Sequence, residues 1–257
     1  MSLLKKYLLL IVLSGFSLSP QATTIQLETN FGNIDINLYD NGTPNTVANF
    51  LTYINSGAYS QSIVHRAVPG FIIQGGGFSY TGTWPATAIA ASPSVVNEPV
   101  YSNVRGTIAM AKIGGQPDSA TNQWFINLAD NSANLDGQNG GFTVFGQVTA
   151  GMEFVDQISS LTQYNKGGAF ASLPMQNYDG TSTPDATNLV IINSVLIIDA
   201  TVDTASALVK PLNRTSVDAP TSSSGGGSMG LLLLPLFLLL GFRRKYKVLG
   251  SRLEASY

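Results

Sequence analysis

Residues 64–77, VHRAVPGFIIQGGG, are the most informative stretch of this chain. A Pro-Gly-Phe turn at residues 69–71 separates two short apolar segments, and three glycines follow Gln74. Neither these glycines nor Gly140-Gly141 is followed by the Lys-Ser/Thr pair that a phosphate-binding loop requires, so we interpret both as turns. His65 is the only histidine, and no Gly-x-Ser-x-Gly elbow accompanies it. We therefore expect a partly buried structural ring rather than the base of a hydrolase.

Short strands are predicted on both sides of this stretch. Residues 25–27 and 34–38 alternate apolar with polar side chains, and the turn-forming sequence NFGN at residues 30–33 lies between them. This pattern predicts an opening β-hairpin with one buried face. Further strands are predicted at residues 106–111, 123–128, 142–148 and 189–199. Gly-rich or Asn-rich connections separate them, and this spacing favours a barrel or sandwich.

Two helices interrupt the predicted strands. Thr43 is a candidate N-cap and Pro44 suits the first turn, while Gly57 ends the helix. The second helix is expected over residues 151–161, where apolar residues recur every three positions. The apolar stripe of the first helix, which we expect to plug the core, consists of Val47, Phe50, Leu51 and Ile54.

A second block of sequence, in order along the chain, completes a family pattern. It comprises GTIAMA at residues 106–111, Ser119 with NQWFI at 122–126, LDG at 135–137, and Phe142 with VFG at 144–146. Together with the His-Arg pair, the Pro-Gly-Phe turn and the Gln-Gly-Gly end, residues 24–200 resemble the cyclophilins, especially periplasmic bacterial members. The resemblance implies a mainly β fold: an eight-stranded antiparallel closed barrel capped by two α-helices.

The resemblance also implies peptidyl-prolyl cis/trans isomerase activity. The reaction rotates an X-Pro amide across a barrier of about 18–20 kcal/mol and neither makes nor breaks a bond. Catalysis therefore needs no nucleophile, metal or cofactor, only a pocket for the proline ring and a donor that favours the twisted amide. Arg66 suits the donor role, because a guanidinium can hydrogen-bond both the substrate carbonyl and the pyramidalising prolyl nitrogen.

The remaining site residues are assigned by resemblance. Gln74 would orient Arg66 and bind the substrate backbone, and Phe71 would act with them in catalysis. An isolated Phe or Ile in a β-rich chain is more often a core residue than a ligand contact, and only the order of the motifs favours the functional interpretation here. The implied substrate-binding residues are Ile72, Ala111, Gln123, Phe125, Leu135 and Phe142.

Three positions depart from the family pattern. Asn134 replaces an aromatic residue, Phe142 replaces His or Tyr, and Lys112 replaces Asn in many members. We expect the proline pocket to tolerate these changes. Cyclosporin binding should be poor, because an indole at position 134 would add apolar area and a hydrogen-bond donor; submicromolar inhibition would contradict this.

The composition limits the choice of function. The 257 residues are 44% apolar, enough for a sizeable core, and 13 basic against 15 acidic residues give a net charge of -2. Nothing in this balance favours a nucleic-acid partner. The absence of cysteine excludes a disulfide framework, a thiolate zinc site and a cysteine nucleophile. The glycan acceptor patterns at residues 41–43 and 213–215 are too short to assign a function.

The two ends of the chain predict export. Lys5 and Lys6 before an apolar run predict a signal peptide over residues 1–22, with an uncleaved membrane anchor as the alternative. A polar linker is expected at 201–228, a short apolar membrane segment at 229–242 and a basic tail at 243–257. A buried helix is the alternative for the apolar run.

The triple glycine, apolar run and basic cluster also resemble Gly-Gly sorting tails, which implies a rhomboid-type protease as a partner. A plain single-pass anchor is the other interpretation, because the chain continues beyond the basic cluster. We expect an exported monomer in the periplasm or at the cell surface, with proline-containing polypeptides as substrates. The alternative function is a non-catalytic proline-peptide or chaperone module on the same fold; a hydrolase or a structural surface protein is less favoured.

Overall fold

A computed structural model describes residues 23–200 and 204–215 of the chain. Its helices are α1 (Pro44–Asn55), α2 (Ser132–Leu135) and α3 (Met152–Ser160), and short 3₁₀ turns lie at Gln138–Gly140, Gly168–Phe170 and Thr204–Ala207. The strands are β1 (Thr24–Thr29), β2 (Gly32–Leu38), β3 (Ser62–Ile63), β4 (Arg66–Val68), β5 (Ile72–Gly75), β6 (Phe78–Ser79), β7 (Thr87–Ala88), β8 (Thr107–Met110), β9 (Trp124–Asn127), β10 (Val144–Ala150), β11 (Thr162–Tyr164), β12 (Leu173–Met175) and β13 (Ile191–Asp199).

Eleven of these strands form one curled antiparallel sheet in the order β4-β5-β9-β8-β10-β2-β1-β13-β3-β6-β7, and β11 pairs with β12 separately. The mainly β class and the two longer helices agree with the sequence analysis. The closed eight-stranded barrel is not confirmed, because the hydrogen-bonded order ends at β4 and β7. The sheet has more than eight strands because three segments of only two residues each, β3, β6 and β7, count as strands.

The predicted hairpin is confirmed, with Ile25 opposite Ile36 and Thr29 opposite Gly32. Ile25 and Ile36 are fully buried, while Gln26 between the apolar positions of β1 is partly exposed. The alternation arises because successive side chains of a strand point to opposite faces of the sheet. The other four predicted strands correspond to β8, β9, β10 and β13.

Helix α1 buries its predicted apolar face against the sheet. Phe50 is fully buried and packs on Tyr59 and Phe145 with ring centroids 5.3 and 4.9 Å apart. Thr43 occupies the predicted N-cap position, but its hydroxyl accepts no hydrogen bond from a first-turn amide and donates to Tyr39 O instead. Glu98 provides the cap, since its carboxylate accepts hydrogen bonds from Asn45 N at 3.3 Å and Thr46 N at 2.9 Å.

Residues 204–215 correct the predicted linker. Ala205 is 3% exposed and Asn213 is 2% exposed, so this part of the expected 201–228 linker packs on the domain. We call residues 204–215 the C-terminal strap. Within the described parts of the chain, no helix is long and apolar enough to cross a membrane. The predicted signal peptide, apolar segment 229–242 and basic tail lie outside the described residues.

Candidate active site

Three neighbouring strands bring the predicted site residues together. Arg66 on β4 lies opposite Gln74 on β5, and Gln74 lies opposite Phe125 on β9. Residues directly opposite each other on antiparallel strands project from the same face. Residues separated by as many as 59 positions in sequence therefore form one row across the sheet.

A polar chain runs along this row. Arg66 Nη1 donates to Gln74 Oε1 at 3.3 Å, and Gln74 Nε2 donates to Gln123 Oε1 at 2.9 Å. Arg66 is partly buried, and burial lowers the pKa of its guanidinium, which still remains charged at neutral pH. Arg66 has no carboxylate partner among the described residues, so the charge and most of its donors remain available to a ligand.

An apolar surface lies beside the polar chain. The ring of Phe125 meets that of Phe142 edge-on, with centroids 5.8 Å apart. Phe71 and Ala111 are partly exposed against the same cluster and lie nearer the surface. Four predicted pocket residues are buried together in one continuous cluster, which we call the pocket floor. They are Ile72, Phe125, Leu135 and Phe142.

The glycines after Gln74 permit close approach of strand β9, which corrects their interpretation as simple turns. Gly75 is the last residue of β5, and a Cβ there would lie 2.8 Å from the Trp124 ring. A Cβ on Gly76, whose φ is +75°, would lie 2.5 Å from Asn122 O. A Cβ on Gly77 would lie 2.9 Å from Gln123 Cδ. These glycines therefore set the position of Gln123 relative to Gln74.

His65 is buried at 2% exposure, more deeply than predicted, and its ring meets Phe78 edge-on at 5.1 Å. Burial is the main reason that its pKa falls to about 3, and the neighbouring Arg66 charge adds to the effect. Its Nδ1 has no hydrogen-bond partner within the described chain. An imidazole that stays neutral in this way is a poor general base near neutral pH.

The three departures from the family pattern have different surroundings. Asn134 is exposed on α2, whereas Phe142 is buried in the pocket floor. Lys112 is 8% exposed, and its Nζ donates to Asn139 O at 2.9 Å and Gly141 O at 2.5 Å. The ammonium also lies 4.9 Å from the centre of the Phe142 ring. Burial lowers the pKa of Lys112 to about 8.

Buried asparagines behind the pocket floor were not identified from sequence. Asn131 Nδ2 donates to Phe71 O at 2.9 Å, and Asn103 Nδ2 donates to Phe142 O at 3.1 Å. Asn127 joins the two, because its amide donates to Asn103 Oδ1 and its carbonyl accepts from Asn131. The only signal in sequence is the high asparagine content of the connections, which by itself indicates turns.

An antiparallel β fold that presents an arginine with no carboxylate partner among the described residues, beside an aromatic floor, has the features of a peptide-binding prolyl isomerase. The sequence model for "Cyclophilin type peptidyl-prolyl cis-trans isomerase/CLD" matches residues 24–178, more than half of the chain. This chain belongs to the cyclophilin-type peptidyl-prolyl cis-trans isomerase family and is an isomerase of that type.

Two named bacterial relatives support the same assignment, and the chain is also similar to one solved structure. A peptidyl-prolyl cis-trans isomerase of Acinetobacter baylyi is 43% identical over 155 residues, which are 59% of this chain and 81% of the relative. Peptidyl-prolyl cis-trans isomerase A of Dickeya dadantii is 45% identical over 161 residues, 60% and 82% of the two chains. A crystal structure of a cyclophilin type isomerase of Cryptosporidium parvum matches with a TM-score of 0.49 and 22% identity, covering 69% of this chain and 98% of that one.

Proposed function

We propose that this isomerase acts on proline-containing polypeptides outside the cytoplasm and that Arg66 is its principal catalytic residue. The observation that carries the proposal is the polar chain of hydrogen bonds from Arg66 through Gln74 to Gln123, which lies beside the apolar pocket floor. It combines a fixed cationic donor with an adjacent surface that suits a proline ring. Among residues 23–200 and 204–215, no comparable arrangement favours a second function.

The pocket floor binds the proline ring, and Phe71 closes its outer side. Ile72, Phe125, Leu135 and Phe142 provide rigid apolar contacts, because each is held in one packed cluster. Holding the ring leaves the preceding residue free to rotate about the amide bond. The flanking peptide backbone lies along Gln74, Gln123 and Ala111, which are partly exposed beside the floor.

Arg66 favours the twisted amide over the planar one. Rotation removes amide conjugation, so the prolyl nitrogen becomes pyramidal and gains the lone pair that a guanidinium N–H can bind. Gln74 accepts one Arg66 donor and orients the others towards the ligand. Because this interaction is stronger in the transition state than in either ground state, it lowers the barrier in both directions.

The test compares wild type, Arg66→Ala and Arg66→Lys by exchange NMR on a short X-Pro peptide, with each fold checked by circular dichroism. We expect Arg66→Ala to lose about 100-fold or more of the catalysed rate at saturating peptide, and Arg66→Lys to recover only part of it. Arg105→Ala is the matched control, since Arg105 pairs with Asp156 on α3, outside the site. Peptide binding without exchange in folded wild type would instead identify a non-catalytic binding module.

Export is the second part of the proposal. It rests on the sequence of residues 1–22 and 229–257, with clients among exported proteins and a tail that is either anchored or removed by a rhomboid-type protease. Fractionation of a Gram-negative host tests this part, and recovery of the unprocessed chain from the cytosol would contradict it. Poor cyclosporin binding and a monomeric state also stay predictions.

A further inference from the structure

The C-terminal strap contributes to the same apolar cluster as the proline pocket. Ala205 is buried together with Ile72, Phe125 and Leu135, and Leu208 packs on this cluster from outside. The strap lies beyond residues 24–178, the part of the chain that the family model matches. The matched segment therefore does not include these contacts.

Backbone pairing fixes the strap against the segment before β8. Ser102 N donates to Pro211 O at 2.8 Å, Asn213 N donates to Val100 O at 2.9 Å, and Leu212 bridges to Tyr101. This short antiparallel pairing sets the position of every side chain at the end of the strap. It places the Asn213 side chain over the turn that follows α2.

Two side chains of the strap converge on one carbonyl of that turn. Asn213 Nδ2 donates to Asp136 O at 2.9 Å, and Thr215 Oγ1 donates to the same oxygen at 2.8 Å. Asn213 Oδ1 accepts in turn from Thr215 N, and it shares the single hydroxyl proton of Thr215 with Asp136 O. The two residues that define the glycan acceptor pattern, Asn213 and Thr215, thus both hydrogen-bond to the domain.

Asp136 connects this contact to the pocket floor. It follows Leu135 directly, and its carboxylate accepts from Ser102 Oγ, from Asn103 N at 2.8 Å and from Asn103 Nδ2 at 3.0 Å. Phe142 N donates to Leu135 O at 3.0 Å, which ties the two floor residues together. A displacement of Asp136 would therefore move Leu135 and Phe142.

We propose that Asn213 is a positioning residue for the proline pocket: through Asp136 it holds Leu135 and Phe142 in the geometry that binds the substrate ring. The proposal rests on the proposed function of this site. Asn213 touches no substrate itself, so its effect falls on the affinity of the pocket. Arg66, by contrast, acts on the rotation step.

The test uses full-length chains and the X-Pro peptide, measuring the peptide dissociation constant and the exchange rate at saturation separately. We expect Asn213→Ala to weaken peptide binding about fivefold and to change the saturated rate less than about twofold, as loss of ground-state binding requires. The amide signals of Leu135 and Phe142 should shift. The matched control is Asn188→Ala, because Asn188 is also buried and bonds backbone carbonyls, those of Gln176 and Asn177, away from the site.

A second pair of variants keeps the test decisive if Asn213→Ala does not fold. Thr215→Val replaces the hydroxyl that bonds Asp136 O by a methyl group and should weaken binding in the same direction, while Thr215→Ser should keep wild-type affinity. Wild-type affinity in the Asn213 and Thr215→Val variants, or equal losses in Asn188→Ala, would overturn the proposal. Absence of exchange in wild type would overturn the proposed function instead, and the shifts at Leu135 and Phe142 would still test the strap.

Discussion

At the residue scale, His65 and Arg66 are adjacent in sequence and have opposite surroundings. The imidazole is enclosed behind the sheet against Phe78, while the guanidinium projects to the ligand side and meets Gln74. The reversal follows from strand geometry, because consecutive side chains point to opposite faces. The pair therefore provides one buried neutral ring and one available cation.

We expect His65 to make the fold sensitive to mild acid. Its pKa falls from 6.5 to about 3 on folding, so between these values the unfolded chain binds a proton that the folded chain does not. The free energy of unfolding therefore decreases as pH falls below about 6.5. Between pH 7 and pH 5 wild type should lose about 2 kcal/mol more than His65→Gln.

Urea unfolding of both chains at the two pH values checks this prediction. His65 is the only histidine, so other titrating groups affect the two chains equally and cancel in the difference. Equal losses for wild type and variant would mean that the folded state accepts the proton.

At the element scale, α1 depends on a residue that is far away in sequence. The Glu98 carboxylate accepts hydrogen bonds from the backbone amides of Asn45 and Thr46. It also accepts from the side chains of the same two residues, from Asn45 Nδ2 at 2.9 Å and from Thr46 Oγ1 at 2.7 Å. A carboxylate at this end of a helix also interacts favourably with the helix dipole. The connection between β7 and β8, which contains Glu98, is thereby fastened to α1.

We expect Glu98→Ala to lower the free energy of unfolding by about 1–2 kcal/mol, because at least two amides lose their acceptor. Glu98→Gln keeps one acceptor oxygen and should lose less. Glu153→Ala is the control, since Glu153 lies exposed in the first turn of α3 and makes no such cap. Urea midpoints measure all three, and a Glu98→Ala midpoint equal to that of the control would contradict the capping role.

The elements that sequence predicted are those with a clear period. The β1-β2 hairpin and the apolar face of α1 follow from alternation and helical spacing. The family resemblance grouped Arg66, Gln74 and Phe125 in one site, and in the structure they lie on three neighbouring strands. The Glu98 cap, the Lys112 contacts and the strap were missed. Each depends on a polar side chain meeting backbone from a distant segment, and local periodicity contains no information about such contacts.

At the scale of the whole molecule, the start of the C-terminal strap lies beside the first described strand. Thr204 Oγ1 accepts from Asn37 Nδ2 at 2.7 Å, beside Thr24 on β1. Thr23 N donates to Asp40 Oδ2 at 2.8 Å, and Asp40 also lines a cavity of about 90 Å³ together with Ala205 and Lys210. The first residue after the predicted signal peptide is thus held by a carboxylate.

Cleavage between Ala22 and Thr23 would convert this amide into an α-ammonium beside Asp40. We expect the exported protein to begin at Thr23, and Asp40→Asn to lower the pKa of its α-amino group by about one unit or more, because an opposite charge is removed. Mass spectrometry gives the first residue, and NMR titration of the amine gives the pKa. Asp130→Asn, which removes an exposed charge, should leave the amine unchanged. A different first residue would contradict the prediction.

The close packing of strand β9 against the glycines has a spectroscopic consequence. The chain contains two tryptophans, and Trp124 is 1% exposed with an indole N–H that has no partner among the described residues. Such an indole emits at shorter wavelength than one in water. Trp84 is partly exposed against Phe170, at 4.9 Å. The Trp84→Phe variant would keep a single tryptophan, which packs in a different apolar cluster from Phe125, so a shift of its emission to longer wavelength would report unfolding of the core.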